Sequence, residues 1–556
     1  MSAYVALLFR TARHLGFARD EGFYFAASTS YARWFDLLLR NRHEALTRTA
    51  IDQAWNINHE HPSLMKSLFG LSWLFLHEKW HLIAQESLSF RLPGMVMGGL
   101  GLWLVYLFGY RLTGRHRVGL MAAALLGLMP RVFYHAHLDC FDVPVMTMWV
   151  AVLYCHWRSL DGGFGWSLAT GVMWGLCLET KHNAWFVPIL VVVHWLVTRG
   201  GEFLSASRRG NFPLPLSLPM MALLGPVIFV GLWPWMWFDT LATPDGHPGR
   251  FSEYANFHLH HAYYNMEYLG FNWFRPPFPR SYAWGMIVFT VPAITLLLGL
   301  LGVSTQLTAL ARELSWLPSA LAPARSAWGA RLKTFADAWP EDRRGSVSFL
   351  LLGFAVPLGP WLSPKTPIFG GTKHWFPAYP FLALFAGLGF WALSRLFEAW
   401  LGERVTRTWL AVLCLGAALV LPAFSQTAHS HPFGLSNYTP LAGGAPGGAD
   451  LGLNRQFWGF TTASLVPYFN AQARPGASVY IHDTTWDSWV MMQRDGYLRG
   501  DLRAVWQPAE ADFSIVHHEL HMNEVDYQNW VTWQSPRVAE VLTYDGVPIV
   551  SVYRRP

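Results

Sequence analysis

The acidic pair Asp20-Glu21 stands just ahead of the aromatic run Phe23-Tyr24-Phe25. A carboxylate that stays ionised in a partly desolvated site can take a proton from a hydroxyl, so this pair could supply a general base. The same residues would also suit the first turn of a helix, where Asp caps and Glu supports the dipole. In Asn58-His59-Glu60-His61-Pro62-Ser63-Leu64 a carboxylate lies between two imidazoles, although the Pro equally suits a loop entering a helix. His258, His260 and His261 could add imidazole nitrogen to Glu60 around a divalent ion, or could simply be interfacial loop residues. Asp139 and Asp142 flank Cys140-Phe141 at the start of an apolar run, as a second acidic site or as the cap of the next helix.

The elements that must position these groups are apolar. Of the 556 residues 52% are hydrophobic and 14% charged, with 30 Trp, 38 Phe and 20 Tyr. Soluble domains carry about 25% charge, and aromatics gather at membrane interfaces. Disorder, a coiled coil and a disulfide scaffold are excluded. Cys140, Cys155, Cys177 and Cys414 show neither disulfide nor zinc spacing. Ten apolar cores follow one another, at 93–112, 118–133, 143–157, 166–178, 184–198, 217–238, 282–303, 347–362, 377–394 and 408–424. Several are short for a span of about 20 residues, but such a series with hardly a charge inside is the pattern of a polytopic membrane protein.

Lys and Arg set the orientation. The connections 111–117, 158–165, 199–216, 304–346 and 395–407 hold sixteen Lys+Arg, whereas 134–142, 179–183, 239–281 and 363–376 hold six. The first set is therefore expected in the cytoplasm. The second set, residues 1–92 and the tail after Phe424 are expected outside. The net charge of +6 then comes from inside loops, which rejects nucleic-acid binding.

Three regions follow. Residues 1–92 form an outer N-terminal region, whose apolar stretch 3–9 suggests a first membrane helix that is short or missing. Residues 93–424 form the transmembrane domain. Residues 425–556 form a small extracytoplasmic α/β domain, with a Gly/Pro linker at 441–451, helical spacing at 457–469 and strand-like runs at 478–482, 513–517 and 538–544. Tyr544-Asp545-Gly546-Val547 reads as a hairpin turn into a last strand at 548–553.

The outer face collects Asp20-Glu21, Glu60-His61, Arg91, Asp139, Asp142, Lys181, the 257–261 histidines and Lys373-His374. The apolar cores hold almost no carboxylates. An ion-coupled transporter would want ionisable groups near the midplane. The pattern favours chemistry at the outer surface over a lipid or sugar transporter or flippase, and over a membrane anchor displaying a binding module.

Taken together, these residues resemble the GT-C superfamily of polyprenyl-phosphate-sugar-dependent glycosyltransferases, in the protein O-mannosyltransferase and aminoarabinose-transferase branch. The likeness lies in the order of motifs over residues 20–395. The acidic pair Asp20-Glu21 comes first, then His61-Pro62-Ser63-Leu64 with Lys66, where Ser63 replaces a second Pro. Arg91-Leu92-Pro93, His137-Leu138-Asp139-Cys140-Phe141-Asp142 and Thr180-Lys181-His182-Asn183 follow. Lys373-His374-Trp375-Phe376-Pro377-Ala378-Tyr379-Pro380 closes the series. The tail after Phe424 carries no motif of this family. The family also has a membrane helix before the acidic pair, which the stretch 3–9 is too short to supply.

The resemblance implies a GT-C-like fold of about 10–11 transmembrane helices and transfer of a sugar from a polyprenyl-phosphate donor to a hydroxyl on a lipid, glycan or protein. The reaction would take place outside, with the chain in the bacterial inner membrane and no nucleotide cofactor. A different lipid-linked saccharide ligase is the rival within enzymes. Asp20 would be the base and Glu21 a positioning group, with Asp139 and Asp142 as further catalytic carboxylates. Arg91 and Lys66, then Lys373, would meet the donor phosphate, and His61 occupies the position of a phosphate-binding lysine of the aminoarabinose branch. Glu60 with His258 or His261 would hold a divalent metal.

Overall fold

The computed structural model describes residues 1–207, 214–313, 344–402 and 407–556. Most of the basic connection 304–346 lies outside the described residues. Each of the ten apolar cores is helical along most of its length. By length and apolar composition, Glu86–Thr113, Gly371–Leu401 and Thr408–Ser430 can each cross a membrane. The apolar pair Tyr282–Thr290 and Ala293–Thr305 is bent by 115°, the shape of a broken span or of a re-entrant loop. Pro292, which has no N–H to donate, sits at that corner. Proline also marks three further breaks. The core at 118–133 divides into His116–Gly127 and Pro130–His135, and Ser217–Leu232 stops before Pro234. Val356 begins a tighter turn around Pro357. Glu86–Thr113 ends where Gly114 takes a left-handed conformation (φ 67°), the usual helix stop.

These helices bury unequal faces. Asp142–Ser159 is enclosed almost all round. Thr408–Ser430 leaves Trp409, Leu413, Leu421 and Phe424 exposed. An apolar helix surface with no protein partner suits lipid, where the helix satisfies its own backbone hydrogen bonds.

Before the first long span, Ser2–Thr11 packs on Glu86–Thr113 and Arg19–Arg40 packs on Leu64–Ser72. The helix Arg19–Arg40 also docks on the C-terminal domain at Trp486–Arg494. Gly22 permits that contact, because a Cβ there would run into the hydroxyls of Thr485 and Ser488. In the 239–281 connection, β1 (Met266–Tyr268) and β2 (Phe271–Trp273) form a short antiparallel hairpin absent from the sequence expectation.

The C-terminal domain is a mixed five-stranded sheet made of β3 (Ser478–Tyr480), β4 (Arg503–Val505), β5 (Phe513–His517), β6 (Val538–Tyr544) and β7 (Val547–Arg554). Its order is β4-β3-β5-β7-β6, with β3 parallel to both neighbours and β7 antiparallel to both of its own. The turn between β6 and β7 has Asp545 and Gly546 at φ 50° and 77°, the left-handed pair that a tight hairpin requires. Alternate residues of β5 and β7 pack into the domain core with Phe469 and Trp489. The expected linker at 441–451 instead forms a turn and the helix Gly444–Asp450.

Candidate active site

The two acidic neighbours separate at the start of Arg19–Arg40. Ala18 is the N-cap, so Asp20 and Glu21 fall in the first turn and neither is the cap. Glu21 turns inward. One oxygen accepts from the Ala18 N–H at 2.9 Å. Arg91 grips both oxygens, Nε to Oε1 at 2.7 Å and Nη2 to Oε2 at 2.8 Å, and also donates to the Gly16 carbonyl at 2.7 Å. The Asp139 N–H completes the set at 3.0 Å. Both side chains of the pair are essentially sealed from solvent (1% and 0% exposed). A guanidinium held by a carboxylate and a carbonyl in a dry seam has little left for a donor phosphate. In this arrangement Arg91 is engaged as a framework group. Asp139 is equally buried, and its carboxylate oxygens meet no donor among the described residues. Burial, with the Glu21 charge behind it, pushes its carboxyl well above the usual range.

Asp20 faces a cavity of about 790 Å³, also lined by His61, Asp142, Lys181, His182, His374 and Lys373. Lys373 donates to Asp20 at 3.2 Å, and its ammonium stands 3.9 Å from the Trp458 ring centre. Burial alone would raise the Asp20 carboxyl, but the charges of Lys373 and then Arg19 more than offset it and hold it below the ordinary value. The group is therefore ionised at neutral pH, as a base must be. Asp142 accepts from Lys181 at 2.6 Å and contacts His135 at 3.2 Å. His61 lines the cavity with no partner on Nδ1 among the described residues. Burial and then Lys66 hold its imidazole neutral, far below its usual value.

Lys66 does not reach the cavity. Its ammonium donates to the Asn58 carbonyl and, at 2.9 Å, to the His61 carbonyl, so it pins the 58–61 loop from behind. Burial lowers it to about 7. Lys66 is therefore set apart from the cavity, whose cationic lining is Arg19, Lys181, Lys365 and Lys373.

The expected metal ligands do not converge. Glu60 accepts from the Asn58 amide at 2.7 Å. His258 Nε2 faces the Glu60 backbone carbonyl at 3.0 Å, and its ring stacks 4.2 Å from His182. His261 Nδ1 faces the Ala262 carbonyl at 2.8 Å, with its ring against Phe369. Each carbonyl takes one ring nitrogen and leaves the other free, so these hydrogen bonds orient the rings without removing their ligand nitrogen. Among the described residues these three form no common ligand cluster.

The C-terminal domain contributes lining that the sequence did not announce: Trp458, Asp483, Glu519 and His521. Arg19 joins Asp483 at 2.9 Å and reaches Asp20 at 4.0 Å, tying the domain to the base. Trp458 and Asp483 both have positive φ, a backbone cost that a packed site sustains. The run His517-His518-Glu519-Leu520-His521 carries a carboxylate among imidazoles, as Asn58–His61 does, and was the available signal.

Residues 72–229 match the family model described as dolichyl-phosphate-mannose-protein mannosyltransferase. That stretch contains Arg91, Asp139, Asp142 and Lys181. None of the curated proteins compared matches the chain. Among solved structures, ArnT from Cupriavidus metallidurans in the apo state is similar at 14% identity, covering 99% of this chain and 96% of that one, with a TM-score of 0.48. The same protein bound to undecaprenyl phosphate scores 0.44 at the same identity and coverage. The Archaeoglobus fulgidus oligosaccharyltransferase is 9% identical over 96% of this chain and 71% of that one, with a TM-score of 0.45. Over residues 72–229 the chain is thus similar to the dolichyl-phosphate-mannose-protein mannosyltransferase family.

Proposed function

We propose that this protein is a membrane glycosyltransferase that moves a sugar from a polyprenyl-phosphate donor to a hydroxyl acceptor. The observation that carries this reading is the Asp20 carboxylate, held ionised in a cavity that also presents Lys373 and Lys181. In the transfer, Asp20 takes the acceptor's hydroxyl proton as that oxygen bonds to the anomeric carbon. The bond from that carbon to the phosphate oxygen breaks, and its electron pair leaves with polyprenyl phosphate. Lys373 and Lys181 are placed to meet the charge that develops there. Trp149, Phe186 and Trp361 supply apolar lining for a lipid-borne substrate. Two similar proteins bind such a carrier: ArnT from Cupriavidus metallidurans binds undecaprenyl phosphate, and the Archaeoglobus fulgidus oligosaccharyltransferase AglB binds a dolichol-phosphate. A hexose or a pentose, on a lipid, glycan or protein, remains within this chemistry. No step is routed through a metal at Glu60.

The sidedness read from Lys and Arg supports a cavity and a C-terminal domain that face away from the cytoplasm, in what we take to be a bacterial inner membrane. A cysteine introduced as Ala449→Cys, in a Cys414→Ser background, should react with a membrane-impermeant thiol reagent in intact cells. Protection until lysis would reverse the orientation. For the reaction, purified protein is incubated with synthetic polyprenyl-phosphate mannose, glucose and aminoarabinose and a cell-envelope extract as acceptor. Release of polyprenyl phosphate with label in a new product is expected. No release from any donor, with lipid crossing proteoliposome bilayers instead, would make the chain a flippase.

A further inference from the structure

We propose that Glu267, Glu519 and His521 bind a divalent cation at the seam between the C-terminal domain and the 239–281 connection. The three come from distant parts of the sequence. Glu267 lies on β1, Glu519 just beyond the end of β5, and His521 two residues further on. One ligand atom from each lies within 4.8 Å of the other two. Both glutamates are buried, and no Lys or Arg forms an ion pair with either among the described residues. Two guanidiniums act on the cluster without forming an ion pair with it: Arg19, engaged by Asp483 and Asp20, acts on Glu519, and Arg455 acts on Glu267. Two carboxylates facing each other in a dry seam repel unless a cation or a proton stands between them.

Independent features point to a cation. Gln456 is fully buried, donates from its amide nitrogen to Glu519 at 2.7 Å, and leaves its carbonyl oxygen without a partner among the described residues. An amide oxygen is a ready ligand for a hard or borderline ion. His521 Nδ1 is likewise buried without a hydrogen bond, 3.8 Å from the nearer Glu519 oxygen. The seam is already fixed in place. The Leu520 N–H donates to the Glu267 carboxylate, and the Glu267 N–H donates to Asn454 at 3.0 Å. Two carboxylates with one imidazole suit manganese or zinc better than magnesium or calcium. Glu519 and His521 also line the cavity of Asp20, so the ion would tie the domain to the loop beside the reaction space. This site is separate from Glu60, His258 and His261.

The test is Mn²⁺ binding by the full-length protein, purified in detergent and stripped with chelator. Binding is read by loss of the free-ion paramagnetic signal, so the result stands apart from sugar transfer. One equivalent is expected, with nitrogen modulation in the spectrum of the bound ion. Glu267→Gln and Glu519→Gln should each abolish stoichiometric binding, and His521→Ala should remove the nitrogen modulation. Gln456→Leu should weaken binding roughly 10–100-fold, as loss of an outer partner does. Glu60→Gln should keep the full equivalent. Thermal melts without metal confirm that the near-isosteric Gln variants are folded. No binding by the parent protein would overturn the proposal. So would binding that survives both Gln substitutions, or binding that Glu60→Gln abolishes.

Discussion

Asp20 and Glu21 share a peptide bond and end in opposite surroundings. On a helix, successive side chains diverge by about 100°, and that rotation sends one carboxylate to the cavity and the other to the seam behind it. Asp20 meets Lys373 at the edge of open space, with its side chain 22% exposed. Glu21 is clamped by Arg91, two backbone N–H groups and surrounding protein. The contrast repeats among the cations, where Lys373 and Lys181 face the cavity and Arg91 and Lys66 hold the wall. Chemistry and scaffold here use the same residue types, and only the direction each side chain points separates them.

That separation can be broken at several places. The largest effect is expected on the scaffold side. Removing one member of a buried ion pair strands the other charge and costs about 3–5 kcal/mol. Arg91→Ala should therefore lose its cooperative melt in detergent, while Arg91→Lys, which keeps charge but not the two-point grip, should be intermediate. An Arg91→Ala protein that melts normally and binds donor poorly would return this residue to the phosphate. On the cavity side, Lys373→Met should lower turnover by about 10²-fold if its ammonium meets the leaving phosphate. It should also move the acid limb of kcat/KM to higher pH. Lys373 helps hold the Asp20 carboxyl below its ordinary value, so without that charge the base becomes protonated at a higher pH. An unmoved limb would separate Lys373 from Asp20.

A smaller effect tests the wall at Glu179. This carboxyl is buried, one oxygen accepting from the Ser63 hydroxyl at 2.7 Å, and burial raises it to about 8. The folded state then holds a proton that the unfolded chain gives up near pH 4.5. Stability from this group is present in acid and is lost as pH rises toward 8. Glu179→Gln carries no such proton, so its melting temperature should fall less than the parent's between pH 5 and 8. Parallel curves would show that Glu179 does not titrate in that window.

Much of the frame was legible because hydrophobic runs and basic loops are local signals. The ten apolar cores, the last strands with their Asp545-Gly546 turn, and the acidic pair could all be read in order. The breaks at Pro130, Pro234 and Pro292 were also written in the sequence, but a window that averages hydropathy passes over them. What stayed hidden depends on partners far along the chain. Nothing near Arg91 says that Glu21 will neutralise it, so its place at a span boundary suggested a phosphate. Trp458 and Asp483 belong to a domain without family motifs, and only tertiary packing brings them to Asp20. The histidines of the 257–261 run suggested ligands by type, yet among the described residues they form no ligand cluster with Glu60.

The most direct measurement compares Asp20→Asn and Glu21→Gln in the same preparation, recording transfer from a synthetic polyprenyl-phosphate sugar and thermal stability together. Each change removes a charge and keeps the shape. Asp20→Asn should lose about 10²–10⁴-fold in turnover, the usual worth of a positioned base, with its melting temperature unchanged. Glu21→Gln should melt lower, while the fraction that stays folded keeps a measurable rate. Wild-type turnover in Asp20→Asn would contradict the account and move the search for the base to Asp142, another carboxylate that lines the cavity.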